Sequence, residues 1–125
     1  MSDDLRLWAV RGATKAPSNN PETIVSATEE LMRELMSRND LAIEQMVSCI
    51  FTSTHDLNAE FPAVAARNLG LDTVPLLCAR EIDVPNAMRS VIRVLLHYYA
   101  AAEDLPEHVY LGAAQGLRAD LHDAQ

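Results

Sequence analysis

Residues 20–52, NPETIVSATEELMRELMSRNDLAIEQMVSCIFT, contain the change of pattern that decides the fold class. Asn20 and Pro21 mark a helix start, because Asn caps free backbone N–H groups and Pro is tolerated in the first helical turn. Apolar residues then recur at helical spacing, which predicts a helix that ends near Asn39. Residues 46–52 are rich in β-forming side chains and predict a strand. A helix that leads into a strand indicates an α/β protein in which the helix covers one face of a sheet.

The segments on either side supply the rest of the predicted sheet. Residues 5–10 predict an N-terminal strand, broken by Gly12 and the polar stretch after it, so that two strands and the helix form a βαβ unit. The other predicted elements are helical turns at residues 40–44 and 85–90, a short helix at 62–70, and strands at 73–78, 91–99 and 108–111. We expect one α/β (α+β) domain over residues 1–125, a mixed sheet covered by helices, with a flexible, weakly helical tail at 112–125.

The charge and composition of the chain argue against several kinds of partner. The 125 residues, 49% of them apolar, fit one compact domain. A net charge of −8 without a Lys/Arg cluster is unsuited to nucleic acid, because binding to the phosphate backbone requires a dense basic face. The apolar residues are dispersed, so we expect neither a membrane span nor an export signal.

The cysteines and histidines predict no metal site. Cys49 and Cys78 lie in apolar runs and form no Cys-x-x-Cys pair, which is typical of free thiols in a reducing cytoplasm. The four histidines are scattered without the spacing of metal ligands. We therefore expect a cytoplasmic protein that holds no metal.

Arginines set among short apolar runs are the candidate binding residues: Arg11, Arg67, Arg89, Arg93 and Arg118. A cation beside apolar residues costs free energy unless an anion meets it. The planar guanidinium group also binds a carboxylate through two parallel hydrogen bonds. These residues indicate a pocket for a small acid.

Each candidate also has a structural interpretation. Arg93 projects from an apolar strand and could meet a ligand, reach the edge of the sheet, or pair with Glu81 or Asp83. Arg67 lies in a short helix and could bind an anion or be an exposed residue of an amphipathic helix. Glu81 could accept a hydrogen bond from a substrate hydroxyl or be a solvated loop acid. Tyr110 could offer its phenol to a carboxylate or be a core tyrosine with a solvated hydroxyl.

The order of short motifs resembles that of the AroH-class chorismate mutases. The motifs are Arg-Gly-Ala-Thr at 11–14, Phe-Pro-Ala at 61–63 with Arg67 following, Val-Pro at 74–75 with Cys78 and Glu81 following, Ile-Arg-Val at 92–94, His-Val-Tyr-Leu at 108–111 and Leu-Arg-x-Asp-Leu at 117–121. The resemblance extends from about Leu7 to Leu121, almost the whole chain. No single motif is specific, but their common order at the family's spacing is.

This resemblance implies a small α/β enzyme that assembles as a trimeric pseudo-barrel with active sites at the subunit interfaces. The implied activity is that of an isomerase that rearranges chorismate to prephenate, on the route to phenylalanine and tyrosine. The reaction is unimolecular, so the resemblance implies no cofactor. It also implies that Arg67 of one chain and Arg93 of its neighbour face the same ligand.

The resemblance further implies which residues form the active site. Arg11 and Arg93 would hold the substrate, with Arg93 also beside its ether oxygen. Glu81 and Cys78 would lie near the ring hydroxyl. The implied substrate-binding residues are Phe61, Ala63, Arg67, Leu76, Leu77, Tyr110, Leu117 and Arg118. Among these, Tyr110 would contact a carboxylate, and the last two would belong to a tail segment that closes on the site.

Two departures from the family pattern and two other functions stay open. Leu77 stands where relatives often have Thr, which removes any contact made by that hydroxyl. Ala119 stands where a Pro often follows the arginine, so we expect a more flexible tail. The alternatives are a non-catalytic trimeric module that binds a small metabolite anion, and a trimeric deaminase of the Rid type. The deaminase lacks the Arg-Gly-Ala-Thr and Phe-Pro-Ala motifs.

Overall fold

The computed structural model describes residues 4–117 and shows a mixed sheet with two helices. The strands are β1 (Leu5–Lys15), β2 (Met46–Ser53), β3 (Leu76–Arg80), β4 (Val91–Ala101) and β5 (Val109–Tyr110). The helices are α1 (Pro21–Arg38) and α2 (Ala63–Asn68), with 3-10 turns at Ile43–Gln45 and Gly112–Gln115. Within the described residues the strand order is β3-β2-β4-β1-β5. β4 is antiparallel to both of its neighbours, whereas the β2–β3 and β1–β5 pairs are parallel. The predicted mixed sheet covered by helices is confirmed.

The helix α1 forms where its sequence predicts. The Asn20 side chain accepts a hydrogen bond from the Thr23 backbone N–H at 2.9 Å, and Pro21 occupies the first turn. At the other end, the Asn39 backbone N–H donates to the Leu35 carbonyl at 3.2 Å. The buried residues of α1 lie at helical spacing and pack on one face of the sheet: Ile24, Thr28, Leu31, Met32 and Leu35.

The central strand β4 divides its residues between the two faces of the sheet. The side facing the helices is buried at Ile92, Val94, Leu96, Tyr98 and Ala100. The alternate residues Arg93, Leu95 and His97 are half-buried, and Tyr99 is exposed. This alternation places the Arg93 side chain on the face opposite the helices, in agreement with the prediction that Arg93 projects from an apolar strand.

The first strand is longer than predicted, and Gly12 does not break it. A Cβ atom at Gly12 would lie 3.0 Å from a methyl carbon of Leu31 and 3.0 Å from one of Leu35. Glycine therefore serves here to let α1 approach the strand closely. β1 and β2 are also not neighbours, because β4 lies between them, so the predicted βαβ unit has a third strand inserted.

Three other predicted boundaries were wrong. The third strand begins at Leu76 rather than at residue 73, because Pro75 has no N–H group to donate and instead accepts from the Cys49 N–H at 3.0 Å. Residues 85–90 form no helical turn, because Asn86 and Ser90 have φ angles of 69° and 60°. The turn expected at 40–44 begins later, at Ile43, because Asp40 has a φ of 49°.

The described part of the C-terminal segment packs on the sheet. Ala114 and Leu117 are buried in a small cluster with Ala13, Val91 and Tyr110. Residues 118–125, including Arg118 and Ala119, lie outside the described residues. The flexible tail and the assignment of residues 1–125 to one domain therefore stay predictions. Within the described residues, no helix has the length and apolar content needed to cross a membrane.

The Asp56 carboxylate anchors the end of the loop that leads into β4. It accepts hydrogen bonds from the Ser90 hydroxyl at 2.9 Å and from the Ser90 backbone N–H at 3.3 Å. Partial burial opposes ionisation of Asp56, but hydrogen bonds from Thr54 and Ser90 outweigh it and lower the pKa of Asp56 from 3.8 to about 2. The folded state thus favours the ionised carboxylate.

We expect Asp56→Asn to lower the free energy of unfolding at pH 7 by about 1–2 kcal/mol, because hydrogen bonds to a charged group contribute about 1.5–3 kcal/mol and the neutral Asn side chain keeps part of this. Because the folded pKa is depressed, this stability is present above pH 3.8 and is lost as the pH falls towards about 2. Urea denaturation at pH 7 and at pH 2.5 should therefore show a difference between variant and wild type that shrinks at the lower pH. The exposed Asp72→Asn is the matched control and should change little. A constant difference at both pH values would contradict this account.

Candidate functional site

One face of the sheet is left largely uncovered by the helices. It carries exposed apolar side chains, among them Leu7 (49% exposed), Leu77 (60%) and Tyr99 (48%). We call this the open face. At one end of it, the turn Gly112–Gln115 and Leu117 cover Ala13 and Val91. The rest of the face is accessible in the single chain.

A row of side chains crosses the open face from one edge of the sheet to the other. The strand registers pair Tyr110 with Ala13, Ala13 with Arg93, Arg93 with Thr52, and Thr52 with Ala79. Paired residues of neighbouring strands point to the same face. The small Ala13 therefore lies between Tyr110 and Arg93 on the same face of the sheet, where Tyr110 is buried beside Ala114 and Leu117.

Arg93 is held at one nitrogen by Glu81. The Arg93 Nε atom donates to Glu81 Oε2 at 2.9 Å, and the Thr52 hydroxyl donates to the same oxygen at 2.8 Å. The Glu81 side chain is 16% exposed and that of Arg93 is 40% exposed. The backbone N–H of Glu81 also donates to the Ser53 carbonyl at 3.0 Å. Of the alternatives open for Arg93, pairing with Glu81 is thus observed, and the terminal nitrogens of Arg93 have no hydrogen-bond partner within residues 4–117.

Arg11 lies on the open face as a diagonal neighbour of Arg93. Arg11 pairs with Leu95, and Ala13 two residues later pairs with Arg93. The Arg11 side chain is half-buried and makes no ion pair within residues 4–117. Its backbone N–H donates to His108 Nδ1 at 3.0 Å, which ties β1 to the segment before β5. Two guanidinium groups and one carboxylate leave this part of an acidic protein locally positive.

A second set of candidate residues lies on the other side of the edge strand β3. Phe61, Cys78 and Arg80 are among the residues that line a cleft of about 330 Å³ between β3 and the loop before α2. The neighbouring Leu76 is half-buried against the core, and Ala63 is buried in it. Arg67 is exposed in the last turn of α2. These residues form the wall of a cleft that opens at the edge of the sheet.

The two thiols differ in accessibility. Burial, together with the nearby Cys78 thiol, raises the pKa of Cys49 to about 12, so Cys49 is an inert core residue. Cys78 is half-buried and lines the cleft. Among residues 4–117, no group of three or more His, Cys, Asp or Glu side chains could hold a metal ion.

One chain brings together only part of the predicted site. Arg11, Arg93, Glu81 and Tyr110 share the open face, and Leu117 packs beside Tyr110. The side chains of Phe61, Cys78 and the buried Ala63, and the exposed Arg67, belong to the helix-covered side. Leu77 is exposed on the open face of β3, Arg89 lies in the exposed loop before β4, and Arg118 lies outside the described residues. The sequence did not predict that Thr52 contacts Glu81, because no local pattern marks a hydroxyl whose partner lies on another part of the sheet.

Comparison with known proteins gives concordant similarities. The family model described as chorismate mutase type I matches residues 7–121. The chorismate mutase AroH of Thermus thermophilus is 43% identical over 118 residues, which cover 93% of this chain and 97% of that protein. The AroH protein of Bacillus subtilis (strain 168) is 35% identical over 119 residues, 94% of each chain. The solved structure of a chorismate mutase from Clostridium thermocellum superposes with a TM-score of 0.83 at 42% identity, covering 87% of this chain and 98% of that one.

Proposed function

Because this chain belongs to the type I chorismate mutase family and is a chorismate mutase, we propose that its open face holds chorismate while the substrate rearranges to prephenate. The reaction is a [3,3]-sigmatropic shift within one molecule and transfers no proton. The protein must hold the dianion in a compact conformation and stabilise the negative charge that grows on the ether oxygen as its bond to carbon breaks.

The position of Arg93 is the observation that carries this mechanism. It lies on the central strand, and Glu81 holds its Nε atom at 2.9 Å. Its terminal nitrogens have no hydrogen-bond partner within the described residues. A guanidinium fixed in this way presents N–H donors to the ether oxygen without having to reorganise during the reaction. We assign Arg93 as the group that stabilises the developing charge.

The neighbours of Arg93 supply the remaining contacts in this proposal. Arg11 and Tyr110 would bind the carboxylates, because both lie on the same face as Arg93. Glu81 would accept a hydrogen bond from the ring hydroxyl through its second oxygen. Cys78 would contact the substrate from the cleft, since β3 is an edge strand and a ligand bound at the edge of the sheet can contact side chains on both faces of that strand.

We also propose that the protein is a homotrimer whose sites are completed by a neighbouring subunit. In one chain, Arg67 and Phe61 lie on the helix-covered side, whereas Arg93 lies on the open face. One ligand can contact all three residues when the cleft side of one chain packs against the open face of another. The exposed apolar residues of the open face favour such burial. Leu76, Leu77 and Ala63 would then shape the wall of the site, and Leu117 and Arg118 would close it.

The test of the proposed function is an assay with chorismate. The purified protein should convert chorismate to prephenate, which is followed as loss of the ultraviolet absorbance of chorismate, well above the uncatalysed rate. Heat-denatured protein is the control for spontaneous rearrangement, and the Arg93→Ala variant purified in the same way is the control for a contaminating mutase. Binding of chorismate without turnover would instead support a non-catalytic metabolite-binding module.

We further propose a cytoplasmic enzyme of one domain. Both thiols are free, which is typical of proteins in a reducing compartment. Cell fractionation should place the activity with a cytoplasmic marker. Recovery of the activity in the membrane or periplasmic fraction would overturn this location.

Turnover at saturating chorismate should be nearly independent of pH from about pH 6 to 9, because the rearrangement transfers no proton and arginine stays charged throughout. The measurement is kcat across this range, with circular dichroism to show that the enzyme stays folded. A steep bell-shaped profile in folded enzyme would show that a proton transfer limits the reaction.

A further inference from the structure

Two donors converge on a single oxygen of the Glu81 carboxylate. Thr52 Oγ1 donates to Oε2 at 2.8 Å and Arg93 Nε donates to the same atom at 2.9 Å. The other oxygen, Oε1, accepts no hydrogen bond within residues 4–117. The three residues therefore form a chain in which the hydroxyl and the guanidinium meet at one atom.

This arrangement is not the one that an isolated Arg–Glu pair prefers. A guanidinium and a carboxylate tend to form two parallel hydrogen bonds, with both oxygens facing two nitrogens. Such a pairing of Arg93 with Glu81 would occupy Oε1 and a terminal nitrogen of Arg93 with each other. Both atoms are those that the proposed function assigns to substrate.

The backbone places the Thr52 hydroxyl where it can prevent this pairing. Thr52 lies on β2 directly opposite Arg93, and Glu81 follows the end of β3 on the other side of β2. The Glu81 side chain must therefore cross over Thr52 to reach Arg93. A donor at this point holds Oε2 on the near side of the guanidinium.

We propose that Thr52 is a positioning residue for the mutase reaction, whose hydroxyl holds Glu81 Oε2 so that Glu81 and Arg93 bind each other through one hydrogen bond and keep their other polar atoms for substrate. The inference rests on the proposed roles of Arg93 and Glu81. Thr52 itself touches no reacting atom in this mechanism.

The test compares two substitutions that remove different parts of the side chain. Thr52→Val removes the hydroxyl and keeps the branched shape that suits a strand. We expect it to lower kcat about tenfold and to change KM by less than about threefold, because Arg93 acts in the transition state. Thr52→Ser keeps the hydroxyl and should retain at least about half of wild-type kcat.

A merely structural role predicts a different result. Thr52→Ser, which loses the methyl group, would then lower the thermal stability more than Thr52→Val does, and both variants would keep wild-type kcat. Ser48→Ala, which removes a hydroxyl from the same strand and the same face, is the matched control and should leave kcat within about twofold of wild type. Thermal unfolding and light scattering of each variant show whether fold and assembly persist.

A double-substitution cycle tests whether Thr52 acts through Glu81. In an enzyme that already carries Glu81→Ala, adding Thr52→Val should change kcat by less than about twofold, since the hydroxyl has lost its acceptor. A further tenfold loss in that background would overturn the inference, as would a folded Thr52→Val enzyme with wild-type kcat. Both results require an active wild-type enzyme, so an inactive wild type would count against the proposed function instead.

Discussion

Replacing Arg93 by Ala should lower kcat by about 10²–10³, as for the loss of a donor that stabilises a developing negative charge. The substitution removes the guanidinium that Glu81 fixes at 2.9 Å on the central strand and leaves a small side chain in its place. Steady-state kinetics with chorismate measure the effect. KM should rise much less than kcat falls, because the ether oxygen carries most of its charge only in the transition state.

Surface substitution provides the control for this result. Arg33 lies on α1 with its side chain 63% exposed and pairs only with Glu29 among the described residues. Arg33→Ala should leave kcat within about twofold of wild type. An Arg93→Ala enzyme that is folded and turns over chorismate at a near-normal rate would remove Arg93 from the mechanism.

Two inactive variants, Arg67→Ala and Arg93→Ala, should recover activity when they are unfolded together and refolded as mixed trimers. If each site takes Arg67 from one chain and Arg93 from its neighbour, random assembly of an equal mixture restores both arginines in about one quarter of the sites. The recovered kcat per site, measured after mixing, should approach that fraction of the wild-type value. Light scattering should give about three times the chain mass of 13.8 kDa.

The same refolding of each variant alone is the control and should yield no recovery. A trimer that regains nothing on mixing would place both arginines in sites drawn from one chain. A monomer by light scattering would rule out a shared site altogether.

The elements that the sequence predicted well are those whose signals are local. Asn20 and Pro21 determine the start of α1 through contacts within one turn, and the apolar spacing that follows needs no other part of the chain. Gly12 misled the prediction of β1 because its role depends on Leu31 and Leu35, which reach it only in the folded protein. The helical turn predicted at 85–90 is absent for a similar reason. Asn86 and Ser90 have left-handed backbone conformations there, because contacts with distant residues such as Asp56 fix the loop.

The same difference between local signals and contacts made only in the folded protein applies to the candidate site. Alternation is a property of one strand, so the projection of Arg93 from the apolar strand β4 could be predicted, whereas the face of the sheet that it occupies could not. Its pairing with Glu81 was one alternative among several, since the register between strands decides it. Thr52 gave no signal in the sequence, because its hydrogen bond to Glu81 and its place opposite Arg93 arise only when the strands pair. The resemblance to a family implied residue roles that no pattern within the chain could indicate, and these roles stay predictions.

The loop between Glu81 and Ser90 is tied down at both of its ends and exposed between them. At one end the Glu81 N–H is bound to Ser53, and at the other Ser90 is bound to Asp56. Most of the residues between, such as Ile82 and Val84, are solvent-exposed. Because these anchors separate the loop tip from Arg93, a peptide tag or fluorescent reporter inserted near residue 86 should leave β4 undisturbed. The loop thus gives protein engineers an attachment point close to the proposed site.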